Sequence, residues 1–85
     1  MSDLKAKFTQ AAEDVKKLGE RPDNDTLLKL YALYKQGSDG DVGGPKPGFF
    51  DFVGTAKYEA WGKLKGMKAD EAMQKYVNLV NKLDR

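Results

Sequence analysis

The sequence predicts an all-α protein, a four-helix bundle with one long loop between its second and third helices. Three observations favour this class. Apolar residues recur every three or four positions in four separate segments, which is the period of an α-helix. We find no segment with the apolar and polar alternation of a half-buried strand. The stretch GSDGDVGGPKPG, from Gly37 to Gly48, consists almost wholly of turn-forming residues.

The first helix is expected to begin near Ser2 or Asp3, because either side chain can cap a helix. Gly19 is expected to end it, with Pro22 shortly after. The apolar residues that repeat along one face between these points are Leu4, Phe8, Ala11, Ala12, Val15 and Leu18.

The second helix begins with a cap and first-turn acids from the segment 23–25, runs through TLLKLYALYK to Gln36, and is expected to end at Gly37. At ~100° per residue, positions 24, 27, 28, 31, 34 and 35 share about a third of the circumference. Leu30 and Leu33 lie beside this arc, so the helix is apolar over more of its surface than one core-facing stripe requires. The combination of leucines, tyrosine rings and a lysine suits a ligand with an apolar end and a phosphorylated end.

The long loop allows two interpretations. Loops of this length are uncommon in small domains and are often functional. Alternatively, the loop is a spacer between helices that are not antiparallel neighbours. The third helix is placed between Asp51 or Gly54 and Lys65, with Gly66 as terminator. The fourth runs from about Ala69 to Leu83, and its stripe comprises Met73, Tyr76, Val80 and Leu83 with Ala72, Val77 and Leu79 alongside.

Composition narrows the possible functions. The 85 residues fit a single domain, 1–85. Cysteine and histidine are absent, which removes Cys- or His-based zinc sites, Ser/His/Asp and Cys/His triads, and His proton shuttles. We therefore expect a protein that is not an enzyme, with no catalytic residue and no metal site. The net charge of +2 is too balanced for a dedicated nucleic-acid binder.

The N-terminal segment MSDLKAKFTQ lacks the apolar region of a signal peptide, and no run approaches the ~20 apolar residues of a membrane span. We accordingly expect a cytoplasmic protein, and a monomer.

Four segments in this order resemble the acyl-CoA-binding protein family, small all-α proteins that carry long-chain acyl-coenzyme A esters. They are FTQAAEDVKKL at 8–18, YALYKQGSDGDV at 31–42, PGFFDFVGTAKYEAWGKLKG at 47–66, and EAMQKYV at 71–77. The resemblance covers nearly the whole chain. It implies a skewed up-down-down-up topology, and long-chain acyl-CoA as the ligand with no other cofactor.

The resemblance also implies roles for individual residues. Tyr31, Lys35 and Lys57 match positions that hold the ribose 3′-phosphate, and Tyr34 and Tyr76 match positions around the adenine and ribose. Lys16 matches a further polar contact, and Phe8 a position in the core and the floor of the site. The positions that line the groove for head group or acyl chain correspond to Ala12, Leu27, Leu28 and Ala56.

Elementary chemistry agrees with these roles. Lysine offers charge-assisted donors to phosphate oxygens, and a tyrosine hydroxyl adds a directional bond without charge. The acyl tail drives binding, since each buried methylene contributes about 0.8 kcal/mol. The expected function is therefore non-catalytic binding, transport and buffering of long-chain acyl-CoA, with possible transient contacts to acyl-CoA-using enzymes or membranes. The alternative is a helical interaction module that binds a protein partner or an anionic lipid surface through the same lysines.

Three positions depart from the family pattern. Tyr58 stands where many members have tryptophan, and Val53 replaces a common lysine. Lys68 occupies the position where a serine normally caps the fourth helix. Because an ammonium group cannot accept bonds from first-turn amides, this last change predicts a loss of stability rather than of function.

Overall fold

Four α-helices form the regular structure of residues 2–84, the part of the chain that this computed structural model describes; the side chain of Ser2 lies outside the description. Helix α1 spans Ser2–Asp14, α2 spans Asn24–Asp39, α3 spans Phe52–Gly62 and α4 spans Ala69–Leu83. Residues 2–84 contain no strand, so the all-α prediction is confirmed.

The end predicted for the first helix was wrong. Helix α1 gives way to a 3-10 turn at Val15–Lys17, and Leu18 is extended with ψ near 139°, so the chain has left the helix before Gly19. Such turns often tighten the last turn of a helix, because i→i+3 bonds satisfy its terminal carbonyls. At the other end, Asp3 lies in the first turn rather than at the cap.

Helix α2 begins as predicted but is one turn longer than predicted. Asp23 is the cap, and its carboxylate accepts a bond from the Thr26 amide at 2.8 Å. Gly37 does not end the helix, because it is buried within it. The residue that ends the helix is Gly40, whose φ of +84° favours glycine.

Gly37 is instead a point of close packing. A Cβ atom at this position would lie 3.1 Å from both Phe8 Cζ and Met73 Cγ. We predict that Gly37→Ala lowers the free energy of unfolding by about 1 kcal/mol, because overpacking costs ~1–3 kcal/mol and outweighs the gain of ~1 kcal/mol in helix propensity. Urea unfolding would measure the change. A higher midpoint would mean that Phe8 and Met73 can move aside freely.

Helices α2 and α3 run in the same direction. Lys57 lies over Tyr31, and four residues further along both helices Trp61 lies under Lys35. Helix α4 runs opposite to α2, since Tyr34 contacts Tyr76 while the position of Gly37 contacts the earlier Met73. These directions agree with the implied down-down-up order of the last three helices.

The connection between α2 and α3 occupies residues 40–51 rather than 37–48. Because the two helices are parallel, this segment must return along most of a helix length, about 1.5 Å for each helical residue. Parallel helices are what the spacer interpretation requires, and the connection is also fastened to α3. The Trp61 indole N–H donates to the Gly40 carbonyl at 2.8 Å, and the Tyr58 hydroxyl donates to the Gly44 carbonyl at 3.1 Å.

A buried amide joins the start of this connection to the turn before α4. Gln36 is fully buried, and its side-chain amide donates to Asp41 at 2.9 Å and to the Met67 carbonyl at 2.7 Å. The Gly66 amide donates to the same Asp41 oxygen at 2.7 Å, and this bond lowers the pKa of Asp41. These hydrogen bonds around Gln36 and Asp41 fix the C-terminal end of α2, where Lys35 lies, to the turn before α4.

Helix α3 is capped by Asp51, which accepts a bond from the Gly54 amide at 2.8 Å. It ends at Gly62, three residues before the predicted end. The chain then continues as turns up to Gly66, where φ is +93°. The core lies between α1, α2 and α4, and its buried members are Phe8, Ala11, Leu30, Leu33, Ala72, Tyr76, Val77 and Val80.

Helix α4 spans the predicted residues, and Lys68 stands at its cap without a side-chain hydrogen bond. We predict that Lys68→Ser stabilises the fold by ~0.5–1 kcal/mol, because the hydroxyl would accept a first-turn amide bond and the opposing charge would be removed. Urea melts compare the two proteins, with ligand affinity as the control that should stay nearly unchanged. A lowered midpoint would refute the capping argument.

Candidate functional site

An open groove of about 650 Å³ runs between α2 and α3. Its apolar floor is a consequence of the wide apolar arc on α2, which leaves Leu27 and Leu28 half-buried after the core has taken Leu30 and Leu33. The lining residues are Arg21, Asn24, Leu27, Leu28, Tyr31, Phe52, Val53, Ala56 and Lys57. The groove therefore brings together five of the predicted ligand residues, those at positions 27, 28, 31, 56 and 57.

The groove is apolar along its length and polar at its ends. Arg21 and Asn24 lie at the start of α2, near the first turn of α3. At the other end, the Lys57 ammonium lies 5.2 Å from the centroid of the Tyr31 ring. A cation held over an aromatic face keeps its donors free for an anion, and a phenol hydroxyl is available beside it. This end suits a phosphate group.

Lys35 lies one helical turn beyond Tyr31 on α2. Its ammonium pairs with Asp39 and lies 5.0 Å from the centroid of the Trp61 ring. The hydrogen bond that Lys35 donates to the Asp39 carboxylate raises the pKa of Lys35 above its ordinary value, so the side chain remains charged at neutral pH. Because Asp39 already satisfies part of this charge, a phosphate at Lys35 must compete with a carboxylate.

Tyr34 and Tyr76 form a cluster with Phe8 rather than lining the groove itself. The ring centroids lie 5.3 Å apart for Phe8 and Tyr34, 5.2 Å for Phe8 and Tyr76, and 5.8 Å for the two tyrosines. Tyr34 is 41% exposed and Tyr76 only 4%. Burial raises the pKa of Tyr76, so its phenol stays protonated and able to donate. The cluster thus offers one exposed ring, that of Tyr34, for stacking.

The two predicted residues of the first helix, Ala12 and Lys16, are not among the residues that line the groove. Ala12 is partly buried and packs against the core. Lys16 belongs to the 3-10 turn after α1, and its exposed side chain pairs with Glu13 at 3.4 Å. No described contact joins Lys16 to the groove residues, so its role as a polar contact stays a prediction.

Sequence reasoning missed four residues that line the groove. Position 24 was placed on the same arc of the second helix as Tyr31 but given no ligand role, and Val53 was noted only for replacing a lysine. Arg21 and Phe52 were given no role. A signal was present, because FFDFV carries four large apolar residues next to a helix cap, which is more than a solvated loop requires.

A second groove of about 630 Å³ borders α2 as well, but it differs in chemistry. It has no aromatic lining residue, and its walls are aliphatic with Asp25, Lys29, Lys63 and Lys75 at the margin. It lacks the pairing of ring and cation that Tyr31 and Lys57 form. Lys29 thus lies on α2 but away from the groove between Tyr31 and Lys57.

Within residues 2–84, no three or more Asp, Glu, Cys or His side chains are arranged to hold a metal ion. Among the helices of that range, none combines the length and apolar character needed to cross a bilayer.

Comparison with known proteins gives consistent results. A family model described as "Acyl CoA binding protein" matches residues 5–80. The chain is 53% identical over 76 residues to acyl-CoA-binding protein homolog 1 of Caenorhabditis elegans, covering 89% of this chain and 88% of the relative. It is 50% identical, with the same coverage, to the acyl-CoA-binding protein homolog of Drosophila melanogaster. The crystal structure of Oryza sativa acyl-CoA-binding protein 2 superposes with a TM-score of 0.91 at 35% identity, covering 96% of this chain and 89% of that one.

Proposed function

The chain belongs to the acyl-CoA-binding protein family, and from this premise we propose that it binds, buffers and transports long-chain fatty acyl-CoA esters without catalysing a reaction on them. The observation that carries the proposal is the groove between α2 and α3. One continuous surface there joins an aliphatic floor, Leu27, Leu28 and Ala56, to the Tyr31 ring and the Lys57 ammonium. An acyl-CoA ester has the matching order of parts, an apolar tail and a phosphorylated head.

Individual roles follow from this placement. The tail lies along the floor of the groove, and Lys57 with the Tyr31 hydroxyl binds the 3′-phosphate. Lys35 binds the same phosphate after giving up part of its pairing with Asp39. The exposed ring of Tyr34 stacks on the adenine, and Tyr76 supports that ring from the core. Ala12 and Lys16 border the head group from the side of α1.

Binding without reaction agrees with the chemistry of the groove. Thioester hydrolysis or acyl transfer would need a general base beside the thioester. The titratable residues that line the groove are Arg21, Tyr31 and Lys57, and none of them is a carboxylate or an imidazole, the usual general bases. The protein is thus a carrier that holds the tail along its groove.

We place the protein in the cytoplasm as a monomer that holds acyl-CoA between its sources and its consumers. Its contacts with acyl-CoA-using enzymes or with membranes would be transient, because a carrier must release its ligand.

Isothermal calorimetry with hexadecanoyl-CoA tests the proposal. We expect saturable one-to-one binding, together with a change in Trp61 fluorescence as Lys35 above its ring rearranges. Absence of saturable binding would refute the proposal and favour the alternative of an interaction module that uses the same lysines.

A further inference from the structure

Four large apolar side chains lie exposed on one short segment at the start of α3. The exposed fractions are 85% for Phe49, 81% for Phe50, 74% for Phe52 and 67% for Val53. Soluble proteins expose single apolar residues routinely, but a contiguous apolar patch marks an interaction surface. We call this segment, residues 49–53, the aromatic turn.

The backbone holds the aromatic turn in place. The Asp51 amide donates to the Gly48 carbonyl at 3.0 Å, which closes the turn around Phe49 and Phe50. The Asp51 side chain caps α3 through the Gly54 amide. The rings of Phe49 and Phe50 meet edge to face with centroids 5.1 Å apart. Two aromatic rings are thus presented to solvent as a pair on a fixed turn.

The groove accounts for only half of this patch. Phe52 and Val53 line the groove, so a ligand in it would cover them. Phe49 and Phe50 are not among the lining residues, and they remain exposed when the groove is filled. A second occupant is needed to cover this pair.

The size and charge of the surface identify that occupant. A stable protein interface buries ~800 Å² on each partner, whereas two phenylalanine side chains supply only about 150–250 Å² each. A bilayer interface requires no matching surface, and it buries Trp, Phe and Leu side chains at the boundary between head groups and acyl chains. The neighbouring cation Arg21 lines the groove beside Phe52 and Val53 and suits anionic head groups, whereas Lys46 pairs with Glu59 at 3.5 Å and Asp51 caps α3.

We propose that the aromatic turn docks the protein on the surface of an anionic lipid bilayer, with Phe49 and Phe50 inserted among the head groups. In this orientation the Phe52 end of the groove faces the lipid, so an acyl tail can pass between bilayer and groove without crossing water. That consequence rests on the proposed function. The docking itself does not, because it needs no ligand.

Vesicle binding of the ligand-free protein tests the docking. The probe is vesicles of phosphatidylcholine mixed with phosphatidylserine, and the variants are the double substitution Phe49→Ser with Phe50→Ser and the control Lys29→Ala on the other side of α2. We expect the double variant to lose at least about tenfold in partitioning, and the control to match the unmodified protein to within about twofold. Calorimetric affinity for hexadecanoyl-CoA in solution should stay within about twofold for both, and circular dichroism verifies folding.

A tryptophan at the turn gives a second readout. In Phe50→Trp, vesicles with brominated acyl chains should quench the added fluorescence, whereas the buried Trp61 of the unmodified protein should respond little. Equal partitioning of the double variant and the unmodified protein would overturn the proposal. So would a concentration-dependent dimer in sedimentation that the double variant lacks, because the patch would then be covered by a second copy. Failure of acyl-CoA binding alone would refute the proposed function and leave the docking result standing.

Discussion

Free coenzyme A is expected to bind this protein several kcal/mol more weakly than hexadecanoyl-CoA. The ester adds a sixteen-carbon tail whose burial is worth a gross ~12 kcal/mol at about 0.8 kcal/mol per methylene. Part of this is lost to ordering and association costs, and part because the groove between α2 and α3 is open. Free hexadecanoate should also bind weakly, since it lacks the phosphate that we propose Tyr31 and Lys57 bind. Calorimetry with the three ligands measures the differences.

The same argument predicts how affinity depends on chain length. Two added methylenes should gain at most ~1.6 kcal/mol, and the gain should cease once the groove is full. A calorimetric series from butanoyl- to octadecanoyl-CoA would locate that plateau. A flat response across the series would mean that the tail does not lie in the groove.

A pair of alanines on α3 offers a matched test of where the tail lies. Ala56 lines the groove between Tyr31 and Lys57, whereas Ala60, one turn further, lines the second groove beside Lys29. Ala56→Leu should weaken hexadecanoyl-CoA binding by about 1–2 kcal/mol, because the larger side chain would occupy part of the groove. It should weaken the binding of free coenzyme A much less. Ala60→Leu should have little effect on either ligand. If the two variants exchange these effects, the second groove holds the tail.

The end of α2 shows what could not be predicted from the sequence. Gly37 and Gly40 both follow the apolar stripe of α2, and both are compatible with a helix end. What distinguishes them is the approach of Phe8 and Met73 to Gly37, a tertiary contact that no local pattern contains. The span of α4, in contrast, was predicted correctly, because its strongly periodic stripe and its first-turn acids indicate the same limits.

The candidate site likewise has a part that could be predicted from one helix and a part that depends on how two helices pack. The exposed arc of α2 could be predicted because residues 27, 28, 31, 34 and 35 share one face of one helix, whatever packs against it. The contribution of Arg21, Phe52 and Val53 could not, because it depends on α3 running parallel to α2, with its first turn beside the start of α2. The pairing of Lys35 with Asp39 was also missed, although the i, i+4 spacing contains it.

Loss of Lys35 or Lys57, the two lysines proposed to bind the 3′-phosphate, is expected to cost about 1.5–3 kcal/mol of acyl-CoA binding, the usual value of a charge-assisted hydrogen bond. Methionine is the suitable replacement, because it is an unbranched side chain of similar length that removes the charge lying over Trp61 in the case of Lys35 and over Tyr31 in the case of Lys57. If both lysines hold one phosphate, the double variant should lose less than the sum of the single losses. Calorimetry with hexadecanoyl-CoA supplies all three values.

Two controls separate a specific phosphate contact from general charge. Lys29→Met removes the same charge from the same helix but from the margin of the second groove, so its effect should be small, about 0.5 kcal/mol or less. A 3′-dephosphorylated acyl-CoA should bind more weakly to the unmodified protein and should reduce the penalties of both lysine losses. The phosphate role is wrong if Lys35→Met and Lys57→Met weaken binding of the dephosphorylated ligand as much as that of the intact one. It is also wrong if Lys29→Met weakens binding as much as Lys35→Met.

The ion pair at Lys35 supplies a variant that should act in the opposite direction. Asp39 competes with the ligand for the Lys35 ammonium, and its negative charge repels a phosphate at that position. Asp39→Asn should therefore tighten hexadecanoyl-CoA binding by ~0.5–1 kcal/mol, because a partly exposed pair of this kind is worth little by itself, while the released charge serves the phosphate. In the Lys35→Met variant, Asp39→Asn should strengthen hexadecanoyl-CoA binding much less, since it would remove only the repulsion between Asp39 and the phosphate. Equal gains with and without Lys35 would show that Asp39 acts through its charge alone and that Lys35 makes no direct contact with the phosphate.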